Sequence, residues 1–253
     1  MNYNMEATPD ATEDENGRKV EWLTPINNYV ENGNLVLKAA QTDTRYQGTE
    51  IRTKEMYSYG YYEIRAKMNV SQGMCAGFWL CGSRDAESKI EYEIDVFENF
   101  GLYPDLVKQT GLAHNYPNGS TGEKTGTQNM HWVTERLTDI FPNTGLEEDV
   151  AASSYFEIFP DEEYHTYGLD WREDSITWYI DGVATMKIEI PEYGIFGKNT
   201  YTFYKYNEPM DLRLTVYCDR DVAGKCGLVE DGVTDFENGA SMTVDYVRIY
   251  QYN

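Results

Sequence analysis

Positive charge is scarce in this sequence. The 253 residues include 21 Lys and Arg against 43 Asp and Glu, which gives a formal net charge of −22. Nucleic acids and anionic membrane surfaces repel a protein with this charge, so we expect neither as a partner. The acidic excess carries little other information, because most charged side chains are simply solvated.

Long apolar runs are also absent. No stretch approaches the roughly 18 apolar residues that a membrane-spanning helix requires. Residues 1–18 are polar and acidic, and they lack both the basic and the apolar segment of a secretory signal. We therefore predict a flexible acidic N-terminal tail over residues 1–18 and a single domain over residues 19–253.

Cysteine is rare, and no C-x-x-C spacing among Cys75, Cys81, Cys218 and Cys226 indicates a zinc site. Cys75 and Cys81 fall on one predicted strand, about 20 Å apart when it is extended. A disulfide needs Cα atoms within about 7 Å, so these two cannot pair. Cys218 and Cys226 could pair across a loop, which leaves the redox compartment open.

Short strands followed by turn signals are the commonest pattern. Segments such as NLVLKAAQ, YYEIRAKMNV, CAGFWLCG, SITWYIDG and MDLRLTVYCD are rich in β-branched and aromatic residues. No 3.6-residue period and no solenoid-length repeat stands out. The pattern is typical of an antiparallel β-sandwich. The least regular part, residues 116–159, predicts a functional loop or a short helical excursion.

Four acids lie close together in the segment KIEYEIDVFENFG, residues 89–101. Residues two apart in a strand share a face, so Glu91, Glu93 and Asp95 are expected to point the same way. Glu98 has the opposite parity and would face the core. An unpaired carboxylate there costs several kcal/mol, so a regular strand is unfavourable.

A β-bulge resolves this conflict. One extra residue near Val96 or Phe97 returns Glu98 to the acidic face, and bulges are common beside active sites. Glu93, Asp95 and Glu98 then line one groove, where like charges favour protonation of one carboxyl. An ionised acid beside a protonated one is the pair that a retaining glycosidase uses, about 5–5.5 Å apart. A solvated strand face or a cation site made of acids is the alternative interpretation.

The hexapeptide EIDVFE is similar to the E-x-D-x-x-E signature of family 16 glycoside hydrolases, in its bulged form with two residues before the last Glu. Further segments in family order, such as YHTYGLDWREDSITWYIDG and MTVDYVRIYQ, extend the resemblance over roughly residues 27–250. The resemblance implies an all-β jelly-roll sandwich of two antiparallel sheets with a concave substrate groove. It also implies a retaining endo-β-glycanase acting on a β-1,3 or mixed-linkage glucan, or on a β-galactan of agar or porphyran type. The negative charge tilts this expectation slightly toward a neutral glucan.

The resemblance also assigns roles to individual residues. Glu93 would be the nucleophile, Asp95 would hydrogen-bond it, and Glu98 would be the general acid and then the general base. A His at position 114 would tune Glu98 or touch the sugar. The sequence departs from the family pattern at two places, which leaves the exact polysaccharide open. Thr215 stands near a position where many members have Asn, and the segment GMCAGFWL lacks the usual W-P-A start. The expected substrate contacts are Trp79, His114, Trp132, Arg52, Arg213 and Glu91.

A structural calcium ion is a further implication of the resemblance, with Asp245 and the backbone carbonyl of Gly33 as candidate ligands. No cofactor is expected for catalysis. We expect a polysaccharide as the partner, a monomeric protein, and a secreted, periplasmic or cell-surface location with the signal peptide outside this sequence.

The alternative function is a non-catalytic, lectin-like β-sandwich that binds carbohydrate. In that scheme Glu93, Asp95 and Asn99 would belong to a metal site. The site also needs a His that the following segment FGLYPDLVKQ lacks, and it leaves Glu98 without a role. These two points favour the enzyme.

Overall fold

The computed structural model describes residues 19–24, 28–42, 45–82, 90–115, 131–132, 150–157, 163–189, 194–195, 202–203, 209–218 and 233–252. This part of the chain is built from strands, and no helix in it could cross a membrane. The predicted tail over residues 1–18 and Cys226 lie outside the described residues.

The strands, in chain order, are β1 (Lys19–Thr24), β2 (Asn28–Glu31), β3 (Asn34–Lys38), β4 (Ala40–Gln41), β5 (Arg45–Arg52), β6 (Gly60–Val70), β7 (Met74–Gly82), β8 (Ile90–Phe100), β9 (Tyr103–Asn115), β10 (His131–Trp132), β11 (Val150–Glu157), β12 (His165–Trp171), β13 (Ser175–Ile180), β14 (Val183–Glu189), β15 (Gly194–Ile195), β16 (Thr202–Phe203), β17 (Met210–Cys218) and β18 (Ala240–Gln251).

Two large sheets contain most of these strands, which confirms the predicted all-β sandwich. The larger sheet has the order β1-β5-β17-β7-β8-β9-β11-β10, with β4 added on β5, and the smaller has the order β14-β13-β12-β6-β18-β3-β2. Strands β15 and β16 form a separate pair. Pairing is antiparallel except at the two ends of the larger sheet, where β1 pairs with β5 and β10 with β11 in parallel.

The expectation of an irregular segment over residues 116–159 is wrong for residues 150–157, which form β11. Strand β11 pairs with β9 from Leu106 to Leu112 and continues the larger sheet. The segment VAASSYFE contains few of the branched residues that mark a strand, so its pairing depends on the open edge of β9 rather than on its own propensity.

The core lies between the two sheets. Side chains of β6 alternate between buried and half-buried along the whole strand, as expected for one face on the core and one near solvent. Trp171 and Trp178 are fully buried, and they pack with residues from both sheets, including Tyr62, Ile64, Phe78, Leu80, Phe97 and Leu214.

Two hairpin turns fix the register of the smaller sheet. Asn32 and Gly33 between β2 and β3, and Asp181 and Gly182 between β13 and β14, all have positive φ angles, from 50° to 84°. Two successive residues with positive φ are the geometry of a type I′ turn, whose twist suits a β-hairpin. The carboxylate of Asp181 also accepts a hydrogen bond from the Thr166 backbone N–H at 2.8 Å, which ties this turn to β12.

The predicted bulge is present in β8. In the ladder with β7, Phe78 is opposite Phe97 and Trp79 is opposite Asp95, so Val96 is the extra residue. Val96 and Phe97 are both fully buried. The ladder resumes with Glu98 opposite Gly77, and this register returns Glu98 to the face of the sheet that carries Trp79.

Deletion of Val96 is expected to remove the bulge and leave Glu98 on the groove face, because Asp95, Phe97 and Glu98 then alternate in a regular ladder. The free energy of unfolding should fall by about 2 kcal/mol, for the lost burial of the Val96 side chain. The matched control is Val96→Ala, which keeps the residue count and should cost about 2 kcal/mol for lost burial. Chemical denaturation followed by circular dichroism measures both. A deletion that costs several kcal/mol more than Val96→Ala would show that β8 does not close into a regular ladder when Val96 is removed.

Candidate active site

Three acidic positions of β8 lie opposite three alternating residues of the neighbouring strand β7. Glu93 is opposite Cys81, Asp95 is opposite Trp79, and Glu98 is opposite Gly77. Directly opposed residues of an antiparallel ladder share a face, and alternating residues of one strand do so as well. The backbone register therefore puts all three acidic positions on one face of the larger sheet.

Asp95 and Glu98 differ in their exposure. Asp95 is 3% exposed, whereas Glu98 is half-buried. The backbone carbonyl of Asp95 accepts a hydrogen bond from Trp178 Nε1 at 2.9 Å, across the core from the smaller sheet. This bond holds β8 at the residue immediately before the bulge. For Glu93, the structure describes the backbone, and its side chain lies outside the described part of the molecule.

Trp79 lies next to this acidic row and is held from one side by β17. Its indole Nε1 donates a hydrogen bond to Thr215 Oγ1 at 2.8 Å. The guanidinium of Arg213 covers the indole ring, with its central carbon 4.7 Å from the ring centroid. Trp79 Cδ1 lies 3.6 Å from where a Cβ would be at Gly77, so the indole leans toward the position of Glu98 in the ladder.

Arg213 is itself fixed by Asp211. Arg213 Nε donates to one carboxylate oxygen of Asp211 at 2.5 Å, and a terminal nitrogen donates to the other at 3.2 Å. Burial of Arg213 opposes its positive charge, but the hydrogen bond to Asp211 and the nearby Cys81, Glu50 and Asp211 together outweigh this effect and raise the pKa of Arg213 above its ordinary value. Arg213 is therefore a permanent cation beside Trp79.

Glu50 is a buried acid at the far end of the same network, 6% exposed. Thr215 Oγ1 donates toward Glu50 Oε2 at 3.5 Å, while the same oxygen accepts from Trp79. Burial raises the pKa of the Glu50 carboxyl, and the nearby charge of Arg213 partly opposes this rise. Glu50 and Asp211 did not emerge from the sequence analysis. Asp211 shares the parity of Arg213 and Thr215 and could have been found by alternation, whereas Glu50 is brought in by the pairing of β5 with β17.

The other predicted contact residues are distributed along the larger sheet. Arg52 is half-buried on β5, directly opposite Arg213. Glu91 is opposite His114 in the ladder of β8 and β9, and Trp132 is opposite Ser154 in the pair β10–β11. The side chains of these last three predicted residues lie outside the described part of the molecule, so their contacts with substrate stay predictions.

The register bears on the predicted role of His114. The partner of Glu98 on β9 is Lys108, which is six residues from His114. Six residues of strand span about 20 Å, too far for direct tuning of Glu98. The other predicted role of His114, contact with a sugar elsewhere in the groove, stays a prediction.

The candidate calcium ligands lie on the smaller sheet. The Asp245 carboxylate forms an ion pair with Arg65 at 2.7 Å, and Gly33 is in the turn between β2 and β3. A guanidinium at this distance competes with a bound cation, and Ca²⁺ prefers six to eight oxygen ligands. Within the described residues, no group of three or more His, Cys, Asp or Glu side chains could hold a metal ion. These residues alone do not fit a calcium site, which stays a prediction.

Comparison with known proteins gives several matches. Residues 10–252 match the sequence model described as "Beta-porphyranase A-D, GH16 domain". The endo-1,3-1,4-beta-glycanase ExsH of Rhizobium meliloti is 28% identical over 193 residues, which cover 76% of this chain and 30% of that protein. A beta-glucanase of Rhodothermus marinus is 24% identical over 232 residues, covering 87% of this chain and 68% of the relative.

Solved structures agree in fold. A laminarinase from Flavobacterium sp. UMI-01 superposes with a TM-score of 0.63 at 22% identity, covering 93% of this chain and 85% of the laminarinase. A Bacillus licheniformis beta-glucanase superposes with a TM-score of 0.60 at 17% identity, covering 99% and 96%. The family match spans nearly the whole chain and agrees with the bulged E-x-D-x-x-E strand, so this chain belongs to glycoside hydrolase family 16.

Proposed function

We propose that the protein is a retaining endo-β-glycanase that cleaves its polysaccharide by double displacement. Glu93 attacks the anomeric carbon and forms a glycosyl–enzyme ester, while Glu98 gives its proton to the departing glycosidic oxygen. Glu98 then removes a proton from the water that hydrolyses the ester. Asp95, between them, hydrogen-bonds Glu93 and holds its protonation state.

The bulge at Val96 is the observation that carries this proposal. If β8 kept the same residues but paired regularly, Glu98 would face the core and only Glu93 and Asp95 would remain at the groove. With the bulge, Asp95 and Glu98 lie opposite Trp79 and Gly77 on one face, two residues apart in β7. Glu98 is half-buried and lies opposite Gly77, toward which the Trp79 indole leans, and partial burial suits a general acid.

For the substrate we propose a β-galactan of the porphyran type. The match to the porphyranase sequence model covers residues 10–252 and supports this choice. A β-1,3 or mixed-linkage glucan is the second candidate, because the relatives from Rhizobium meliloti and Rhodothermus marinus bear glucanase names. The net charge of −22 is an argument for this second candidate, because an acidic protein repels a sulfated galactan but not a neutral glucan.

Product analysis on porphyran, agarose, carrageenan, laminarin and lichenan separates these candidates. We expect internal cleavage of porphyran into a series of oligosaccharides, seen by size-exclusion chromatography and mass spectrometry. Cleavage of laminarin or lichenan with porphyran left intact would replace the galactan with the glucan. A protein that binds one of these polymers and cleaves none of them would favour the lectin-like alternative.

Glu93→Gln is expected to lower kcat by about 10³-fold or more, because it removes the nucleophile of a unit whose members act together. The fold and substrate binding should persist, as measured by circular dichroism and by affinity electrophoresis in the polymer. Glu31→Gln, on an exposed strand of the smaller sheet, is the matched control and should leave kcat unchanged. More than about a tenth of the wild-type kcat, a barrier change below ~1.4 kcal/mol, would mean that another residue is the nucleophile.

Azide rescue distinguishes the two glutamates. With an activated aryl glycoside, Glu98→Ala should form the glycosyl–enzyme intermediate and accumulate it, because the general base is missing. Azide should then release the sugar as the β-glycosyl azide, because two inversions retain configuration. Glu93→Ala should allow direct attack and give the α-azide. The anomeric configuration is read by NMR, and the reverse pair of products would exchange the two assignments.

A further inference from the structure

We propose that Thr215, Arg213 and Asp211 act as positioning residues that hold the Trp79 indole in one orientation, so that it forms a rigid platform for a sugar ring beside Glu98. This inference rests on the proposed function for its substrate. It adds a role for three residues of β17, all of which lie outside the E-x-D-x-x-E signature. Thr215 and Asp211 also lie outside the predicted substrate contacts.

The contacts fix both the edge and one face of the indole. The hydrogen bond from Nε1 to Thr215 holds the polar edge, and the Arg213 guanidinium occupies one face. A tryptophan side chain has two rotatable bonds, so an edge contact and a face contact together leave it little freedom. Because one face is occupied by Arg213, a sugar can stack on the other face alone.

The Thr215 hydroxyl has a defined direction in this network. Its oxygen accepts from Trp79, and its own proton is directed toward Glu50. A hydroxyl can donate one hydrogen bond, so the buried acid on β5 keeps the lone pair of Thr215 turned toward the indole.

Arg213 is arranged to support the indole and not to bind an anionic substrate group. Two of its nitrogens are used by Asp211, its central carbon lies over the Trp79 ring, and its side chain is 18% exposed. Two acids, Glu50 and Asp211, also lie close to it and oppose the approach of a sulfate. An arginine that reads an anion presents its planar fork to the ligand, whereas this one presents it to Asp211.

The position of Trp79 links this support to the chemistry. Trp79 is opposite Asp95, and its indole leans toward Gly77, which is opposite Glu98. A sugar that stacks there would bring its glycosidic oxygen close to the general acid. A loose indole should therefore weaken binding of the substrate more than it slows the bond-breaking step.

The test combines NMR with kinetics. The indole ¹⁵N–¹H signal of Trp79, assigned by its loss in Trp79→Phe, should shift in Thr215→Val and in Arg213→Met. With the polysaccharide on which the wild type is most active, KM should rise about 3–10-fold in each variant, the size of one lost hydrogen bond, with kcat changed less than about twofold. Thr215→Ser keeps the hydroxyl and should restore both the signal and KM.

Matched controls lie on the other sheet. Arg172 makes the same two kinds of contact, with its guanidinium 5.0 Å from the Tyr252 ring centroid and 2.9 Å from Asp170. Arg172→Met and Thr177→Val should leave the Trp79 signal, KM and kcat unchanged, and circular dichroism checks that every variant is folded.

Two results would overturn the inference. An unchanged Trp79 signal in both Thr215→Val and Arg213→Met would show that these residues do not hold the indole, whether or not the protein cleaves any polymer. A rise in KM of Arg213→Met on porphyran but not on agarose would make Arg213 a reader of the sulfate group. Failure of the wild type on every polymer would instead remove the proposed function, and the NMR result would still decide whether the indole is held.

Discussion

The shape of the groove depends on one residue that has no partner in β7. Because Val96 is unpaired, Phe97 stays in the core opposite Phe78. The centroid of the Phe97 ring lies 4.5 Å from that of Tyr167 in the smaller sheet. The next residue, Glu98, then returns to the opposite face. A regular ladder would exchange these faces, which would expose an aromatic ring in the groove and bury a carboxylate in the core. One local irregularity thus satisfies both the packing of the core and the polarity of the groove.

Charges on the floor of the groove are arranged in compensated groups. Arg213 is bound by Asp211 and lies near Glu50, and Arg52 is its neighbour on β5. Buried charges are tolerated when each one has a partner in good geometry, and breaking such a pair is strongly destabilising. The larger sheet can therefore present a polar face beside the acidic row without a large loss of stability. A floor built in this way is already ordered before any ligand arrives.

Alternation along single strands was enough to predict much of this arrangement. The apolar residues that alternate along β17, namely Leu212, Leu214, Val216 and Cys218, are all buried, and the conflicting parity of Glu98 required the bulge that the structure contains. Contacts between distant segments were harder to foresee. Thr215 and Glu50 are 165 residues apart in sequence, and only the order of strands in the sheet brings them together. Strand β11 was missed for a related reason, since its pairing with β9 outweighs a weak local propensity.

The hydrogen bond from Trp178 to the Asp95 carbonyl joins the two layers of the sandwich at the start of the bulge. Its donor belongs to β13, on the sheet that does not line the groove. Changes that displace Trp178 can thus alter the site without touching a sugar, because the bulge of β8 would lose this bond to the smaller sheet. Directed evolution of this scaffold can therefore draw on substitutions in the smaller sheet, far from the sugar, as long as the Trp178 indole keeps its bond to Asp95.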